Sequence, residues 1–168
     1  MLRRYLFRKL KDSKYKYPKI TQIVCNPDML LAVYLDSLIL PIHELNIVWD
    51  KRMLAYTMKY NREIIHRVEK LSKEKGVKFR VIVGFNKETA SFVESLRYCD
   101  KRNLANIEES FQISDNTACV VPLFDKEDEQ LNQILLSNSK YAVERKQSLF
   151  NSLWKMATPI PLEKDDLR

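Results

Sequence analysis

Only two glycines, Gly76 and Gly84, occur in these 168 residues. A loop that brings backbone N–H groups against a phosphate needs several glycines at close spacing, so neither a phosphate-binding loop nor a dinucleotide fingerprint can be written. Cysteine is almost as scarce. Cys25, Cys99 and Cys119 are odd in number, widely separated and without a Cys-x-x-Cys pair, which argues against a disulfide framework and against a zinc knuckle. With only His43 and His66 to add, no two of these groups stand at ligand spacing, and no metal or cofactor is expected. Long apolar runs are missing too. Nothing approaches the roughly 18 uninterrupted apolar residues of a membrane span. Arg8, Lys9 and Lys11 break the only N-terminal apolar stretch, so the hydrophobic region of about 7 to 15 residues in a secretory signal is also missing. A soluble chain in a reducing cytoplasm is the expectation.

What is present is a charge imbalance confined to one end. The chain carries 29 basic and 22 acidic residues, a formal net charge of +7. Arg3, Arg4, Arg8, Lys9, Lys11, Lys14, Lys16 and Lys19 stand against Asp12 alone in residues 1–20, and the rest of the chain is balanced. The basic character therefore describes an arm rather than a folded surface. Within the arm, Leu2, Tyr5, Leu6 and Leu10 can form an apolar stripe on a short helix whose other face is cationic, while Asp12 to Lys19 has no helical period and reads as a linker. So short a helix is marginal alone in water and needs something to lie against. The body of the protein, a second chain, an anionic membrane surface and nucleic acid are all open. Arg3, Arg4, Arg8, Lys9 and Lys11 are the candidate contacts for a nucleic acid or anionic surface.

From Thr21 onward helices and strands alternate. Ile23 and Val24 make a short extended entry, and Asp28 to Leu40 reads as a buried helix with Pro27 near its first turn and Pro41 beyond its end. Leu45 to Trp49 is a strand. Met53 to Lys75 has apolar residues at mostly helical spacings and predicts one long helix, with Gly76 as its C-terminal cap. Val77 to Gly84 predicts a strand covered on both faces, and Asn86 to Tyr98 a helix. Phe111–Ser114 and Ala118–Phe124 predict a hairpin turned by Asp115-Asn116. After the acidic loop from Asp125 to Gln130 come an apolar strand at Ile134–Leu136, a Ser137-Asn138-Ser139 turn able to cap through side-chain oxygens, and a helix from about Lys140. In that helix Val143, Phe150, Leu153, Trp154 and Ala157 share one face, and Trp154 is expected in the core. The fold class is α/β, a mixed sheet flanked by helices. The expected domains are a basic helix and linker at 1–20, a body at 21–157 and a tail at 158–168.

The strand, serine–asparagine turn and helix ending in Phe150-Asn151-Ser152-Leu153-Trp154 resemble the close of the phospholipase-D-like sensor domains of archaeal histidine kinases and related transcriptional regulators. Asn26-Pro27-Asp28 with the helix and strand that follow, and Lys75-Gly76-Val77 leading into Phe79-Arg80-Val81-Ile82-Val83, are similar to the opening and the next helix–strand junction of that family. The resemblance covers about residues 20 to 157 and implies a phospholipase-D-like single lobe. Catalytic members resemble one another in a His-x-Lys-x-x-x-x-Asp motif. Here His43 is followed by Glu44-Leu45 and His66 by Arg67-Val68, so neither histidine has the lysine that would neutralise phosphate charge. The glycine shortage likewise excludes a kinase ATP-binding core within the chain.

A non-enzymatic sensory or regulatory domain of archaeal signalling type is the expectation that follows, acting through ligand sensing, self-association or partner contact. It implies a homodimer and a signalling partner or histidine kinase. Two alternatives stand beside it: a nucleic-acid-binding protein using the basic arm, with weak non-specific binding, and a degenerate phosphodiesterase or nuclease. Trp49 and Asp50, Gly84, Asn86 and Lys87, and Ser137, Asn138 and Ser139 are the candidate ligand-binding residues, on the expectation that they lie at comparable ends of neighbouring strands. The serine turn resembles the phosphate-facing turn of catalytic relatives, and its competing reading is capping alone. Arg80, inside a strand, is expected to pair with a carboxylate.

Overall fold

The computed structural model describes residues 20–38, 41–125 and 130–160. In chain order the elements are β1 Thr21–Val24, α1 Pro27–Ser37, β2 Glu44–Trp49, α2 Lys51–Lys59, α3 Asn61–Lys75, β3 Lys78–Val83, α4 Ala90–Ser95, β4 Cys99–Asn103, β5 Phe111–Ser114, β6 Ala118–Phe124, β7 Leu131–Ser137, α5 Lys140–Met156 and β8 Thr158–Pro159. The strands form one mixed sheet in the order β1-β7-β6-β5-β2-β3-β4-β8. β2, β3 and β4 are parallel neighbours, and every other pairing is antiparallel.

Two apolar layers sit on the two faces of the sheet, which is why its central strands read as nearly continuous apolar runs. One layer joins Leu45, Ile47, Trp49, Phe79, Val81 and Val83 to the inward residues of α1 to α4, among them Val33, Tyr34, Met53, Ile64, Val68 and Phe92. Among the described residues α5 is the helix on the other face, where Val143 and Phe150, with Ala157 just past the helix, pack on Val48, Ile82, Phe111, Ile113 and Cys119, and Leu104 and Ile107 close the layer from the loop after β4. Each such side chain taken fully out of water contributes about 1.5 to 3 kcal/mol.

Several expectations change in detail. The long helix expected from Met53 to Lys75 is two helices. Thr57 turns its hydroxyl onto the Leu54 carbonyl at 2.8 Å, and Tyr60 then leaves helical geometry at φ −117° and ψ 28°. Gly76 does cap α3, in the left-handed region at φ 65°. The helix expected over Asn86–Tyr98 shrinks to Ala90–Ser95, because Asn86 and Thr89 form a closed turn before it.

β4 is an addition, since Cys-Asp-Lys-Arg-Asn has no apolar alternation to announce a strand. Its charged side chains are used internally. The Lys101 ammonium donates to the Val93 carbonyl at 2.9 Å, closing α4, and burial pulls its pKa down. The Arg102 guanidinium donates to the Trp154 carbonyl at 2.6 Å, closing α5. Thr158 and Pro159, placed at the start of the expected tail, pair with Asn103 and Arg102 and complete the sheet edge.

Trp154 is half-buried, not a core residue. Its ring stacks on Phe150 at 5.5 Å and lies beneath the guanidinium groups of Arg102 at 4.5 Å and Arg80 at 5.5 Å. Arg80 does pair with a carboxylate, that of Glu44 at 2.8 Å. No helix among the described residues is long and apolar enough to cross a membrane.

Candidate functional site

Strand direction decides where the predicted site residues fall. β2 and β3 run parallel, so Trp49 and Gly84 do lie at one end of the sheet. β7 is antiparallel to β6, β6 to β5 and β5 to β2, so β7 runs against β2 and ends at the opposite edge. Ser137 pairs with Cys119, Cys119 with Ile113 and Ile113 with Asn46, which puts Ser137 in the row near the start of β2. With about 4.8 Å between strands, it is also roughly 14 Å to one side. The expected common pocket is therefore two separate places.

At the first edge the polar groups are satisfied internally. Asp50 is buried and caps α2: its Oδ1 accepts from the Met53 N–H and the Ser110 hydroxyl, both at 2.8 Å, and its Oδ2 pairs with Arg52 at 3.1 Å. The Ser110 Oγ in turn accepts the Asp50 N–H at 2.7 Å. Arg52 lies over the Phe124 ring at 5.4 Å, which fixes the guanidinium on the carboxylate. Trp49 is a core residue that donates from Nε1 to the Tyr34 hydroxyl at 2.9 Å. Burial pushes that phenol far above its ordinary pKa. Asn86 Oδ1 accepts from Glu88 and Thr89 N–H groups, and the Thr89 hydroxyl donates to the Gly84 carbonyl at 3.1 Å. A Cβ at Gly84 would meet only the Leu104 carbonyl at 3.9 Å, so no close backbone approach demands glycine there. Lys87 stands exposed on this turn.

The second edge is organised around the start of the described chain. Ile20 donates its N–H to Asn138 Oδ1 at 2.6 Å, and Asn138 returns its own N–H to the Ile20 carbonyl at 3.0 Å. Thr21 and Ser137 join their hydroxyls at 2.8 Å, and Ser137 Oγ also accepts the Ser139 N–H at 3.2 Å. Ser139, expected to cap α5 through its side chain, makes no such hydrogen bond. The serine–asparagine turn thus grips the root of the N-terminal arm. Arg3, Arg4, Arg8, Lys9 and Lys11 lie outside the described residues.

Neither histidine joins either edge. His43 is exposed just before β2 and His66 is exposed on α3. Among the described residues no His, Cys, Asp and Glu groups gather as a metal site. Burial raises the Cys99 thiol to about 12 and pushes Cys119 up as well, while Cys25 is exposed. A hollow of about 380 Å³ lies elsewhere, between α3 and the turn after α4, against Val68, Glu69, Lys73 and Tyr98. There Lys73 pairs with Glu69 at 2.5 Å and lies 4.9 Å from the Tyr98 ring centre.

Ser110 is a positioning residue that the sequence reading did not single out, and Asp115 was read only as a hairpin turn although its carboxylate accepts three N–H groups before and at the start of β2. Ser110 precedes a strand, and nothing in its neighbours announces a bond to Asp50 sixty positions away.

No protein-family model matches the chain, and no curated protein matches it. Solved structures do. The archaeal chromatin protein TrmBL2, in a structure showing a novel mode of DNA binding, is 14% identical with a TM-score of 0.61, over 95% of this chain and 61% of that one. Nuc from Salmonella typhimurium, a phospholipase D family member, is 9% identical with a TM-score of 0.64, over 85% of this chain and 99% of that one. Phosphatidylserine synthase from Haemophilus influenzae is 13% identical with a TM-score of 0.58, over 89% of this chain and 43% of that one. The fold is phospholipase-D-like, a mixed sheet flanked by helices, as expected. The likeness also overturns the expectation of a non-enzymatic domain. Solved chains of this fold include a synthase and a phospholipase D family member, and the missing His-x-Lys pair removes one phosphate chemistry rather than catalysis as such.

Proposed function

We propose that this phospholipase-D-like chain binds nucleic acid through its N-terminal arm, with the α/β body holding the arm's root. The observation that carries the reading is the reciprocal pair between Ile20 and Asn138, which ties a segment bearing all of the chain's net charge to the sheet edge. A basic segment anchored at one end can track phosphates while its body stays neutral. The likeness to TrmBL2, whose structure concerns DNA binding, supports this reading over a sensory one. A sensory role would draw on the strand-end residues as a ligand site, and those residues occupy two separate edges and are largely engaged with one another.

Fluorescence anisotropy with labelled duplex and single-stranded DNA tests the proposal. Binding should weaken linearly on a log–log plot against salt, with a slope no steeper than about −7, the value for eight neutralised phosphates. Deletion of residues 1–19, with circular dichroism as the folding control, should remove it. Binding that survives the deletion with an unchanged slope overturns the arm as the reader of phosphate.

A further inference from the structure

We propose that the hollow between α3 and the turn after α4 binds a mononucleotide, with the base on its apolar floor and the phosphate at Arg97 and Lys73. None of its residues belongs to the basic arm, so the site stands apart from the proposed function. Ile65, Glu69 and Lys73 recur at steps of four on α3 and share one face, with Val68 beside them. Val68 and Leu96 are buried and Ile65 is half-buried, so the floor is aliphatic. Tyr98, 40% exposed, adds its ring to the lining. The face of a base suits such a surface. At about 380 Å³ the hollow falls within the range of small-ligand sites, about 300 to 1,000 Å³.

The polar groups of the lining divide into donors and acceptors. Arg97 is exposed and its guanidinium makes no hydrogen bond among the described residues, so its planar fork is open to a phosphate. Lys73 stands with it, paired to Glu69 and 4.9 Å from the Tyr98 ring centre. Ser95 gives its hydroxyl proton to the Phe92 carbonyl, which leaves the oxygen to accept. Glu69 bonds Lys73 through Oε1 and has Oε2 as a further acceptor. The Lys73 bond, joined by the charges of Lys73, His66 and Arg97, holds the Glu69 carboxyl below its usual range and keeps it an acceptor at neutral pH. An exocyclic amino group supplies the N–H donors that these oxygens match, so the class is a nucleotide of adenine, cytosine or guanine. Inorganic phosphate would meet the Glu69 charge as well as the cations and gain nothing from the floor. The wall is preformed: the Arg97 N–H bonds the Ser95 carbonyl at 2.9 Å, the Cys99 N–H bonds the Leu96 carbonyl at 3.2 Å, and buried Lys101 holds the Val93 carbonyl.

Methyl NMR of the full chain titrated with adenosine monophosphate reads the site. The Ile65, Val68 and Leu96 methyls should shift together and saturate. Adenosine and inorganic phosphate, each carrying one part of the ligand, should bind about ten-fold more weakly or worse. Arg97→Ala should weaken the nucleotide about ten-fold and leave adenosine unchanged, with circular dichroism as the folding control. A short deoxyadenylate strand separates the sources of the ligand: the same methyls moved by the mononucleotide alone assign a free nucleotide, and moved by both assign a unit of a strand. Methyls unmoved by the mononucleotide overturn the proposal. An equal response to inorganic phosphate, or an Arg97→Ala chain that binds the nucleotide as the parent does, overturns it too. Nucleotide binding in a chain that fails to bind DNA would leave this inference standing and remove the proposed function; DNA binding with unmoved methyls would do the reverse.

Discussion

Asp115 and Glu44 hold each other by two backbone-anchored bonds: the Glu44 N–H donates to Asp115 Oδ1 at 2.8 Å, and the Asp115 N–H donates to the Glu44 carbonyl at 3.0 Å. The same carboxylate accepts the Ile42 and His43 N–H groups at 2.7 and 2.9 Å. One turn residue therefore fixes the entry to β2, the strand that joins the parallel half of the sheet to the antiparallel half.

Asp115→Ala should cost about 2 to 3 kcal/mol, the range of a charge-assisted hydrogen bond to partly exposed groups plus the strain of alanine at positive φ. Asp115 sits at φ 50°. Asp115→Gly relieves the strain but still loses the carboxylate, whereas Asp115→Asn keeps an acceptor and tolerates the backbone. Urea melts should rank asparagine as the mildest. Equal losses for all three would place the stabilisation in the carboxylate's charge, whereas a loss confined to alanine would place it in the turn geometry.

Phe150→Ala should cost about 3 to 5 kcal/mol, because the ring is fully buried between α5 and the sheet. Trp154→Ala should cost less, about 2 kcal/mol, since one side of the indole faces solvent and its stabilisation is shared with two guanidinium groups. Thermal melts of the two variants separate these cases. A Trp154 loss equal to that of Phe150 would mean that the arginine–indole stack carries as much as core burial.

The architecture was legible wherever period and punctuation agreed. Gly76 was a recognisable cap, Asp115-Asn116 a recognisable hairpin turn, and the face formed by Val143, Phe150 and Ala157 needed only helical spacing. β4 was illegible because its inward lysine is satisfied by carbonyls of α4, and no local pattern reveals that bond. The site failed for a different reason. Residue spacing places Ser137 at the end of a strand but carries no strand direction, and direction is what divides the two edges.

Thiol chemistry should follow burial. Cys25 should react with a disulfide reagent in the native state, while Cys99 and Cys119 should react only on unfolding. Cys99 also makes stability depend on pH. Its folded pKa is raised to about 12 from an ordinary 9.0, so unfolding releases a proton above that lower value. The contribution is fully present below about pH 9 and declines by about 1.4 kcal/mol per pH unit towards pH 12. Tyr56, raised to about 12, steepens the decline above pH 10. Melting temperature against pH should flatten over this range in Cys99→Ala compared with the parent. An unchanged slope would remove Cys99 as the source.

Asn138→Ala tests whether the grip on Ile20 serves the arm or merely the sheet edge. The substitution leaves the Ile20 N–H without its acceptor, which should cost about 1 kcal/mol at this half-buried position. If the arm supplies the phosphate contacts, their number does not change, so the slope of DNA affinity against salt on a log–log plot should stay that of the parent. The affinity itself should fall by a few-fold, because a loosely rooted segment loses more entropy when it binds. Thr21→Ala, which breaks the neighbouring hydroxyl pair with Ser137, should act in the same direction but more weakly. A changed slope would mean that Asn138 sets how many of the arm's basic side chains reach phosphates, and unchanged affinity with lowered stability would confine the residue to holding β1 on β7.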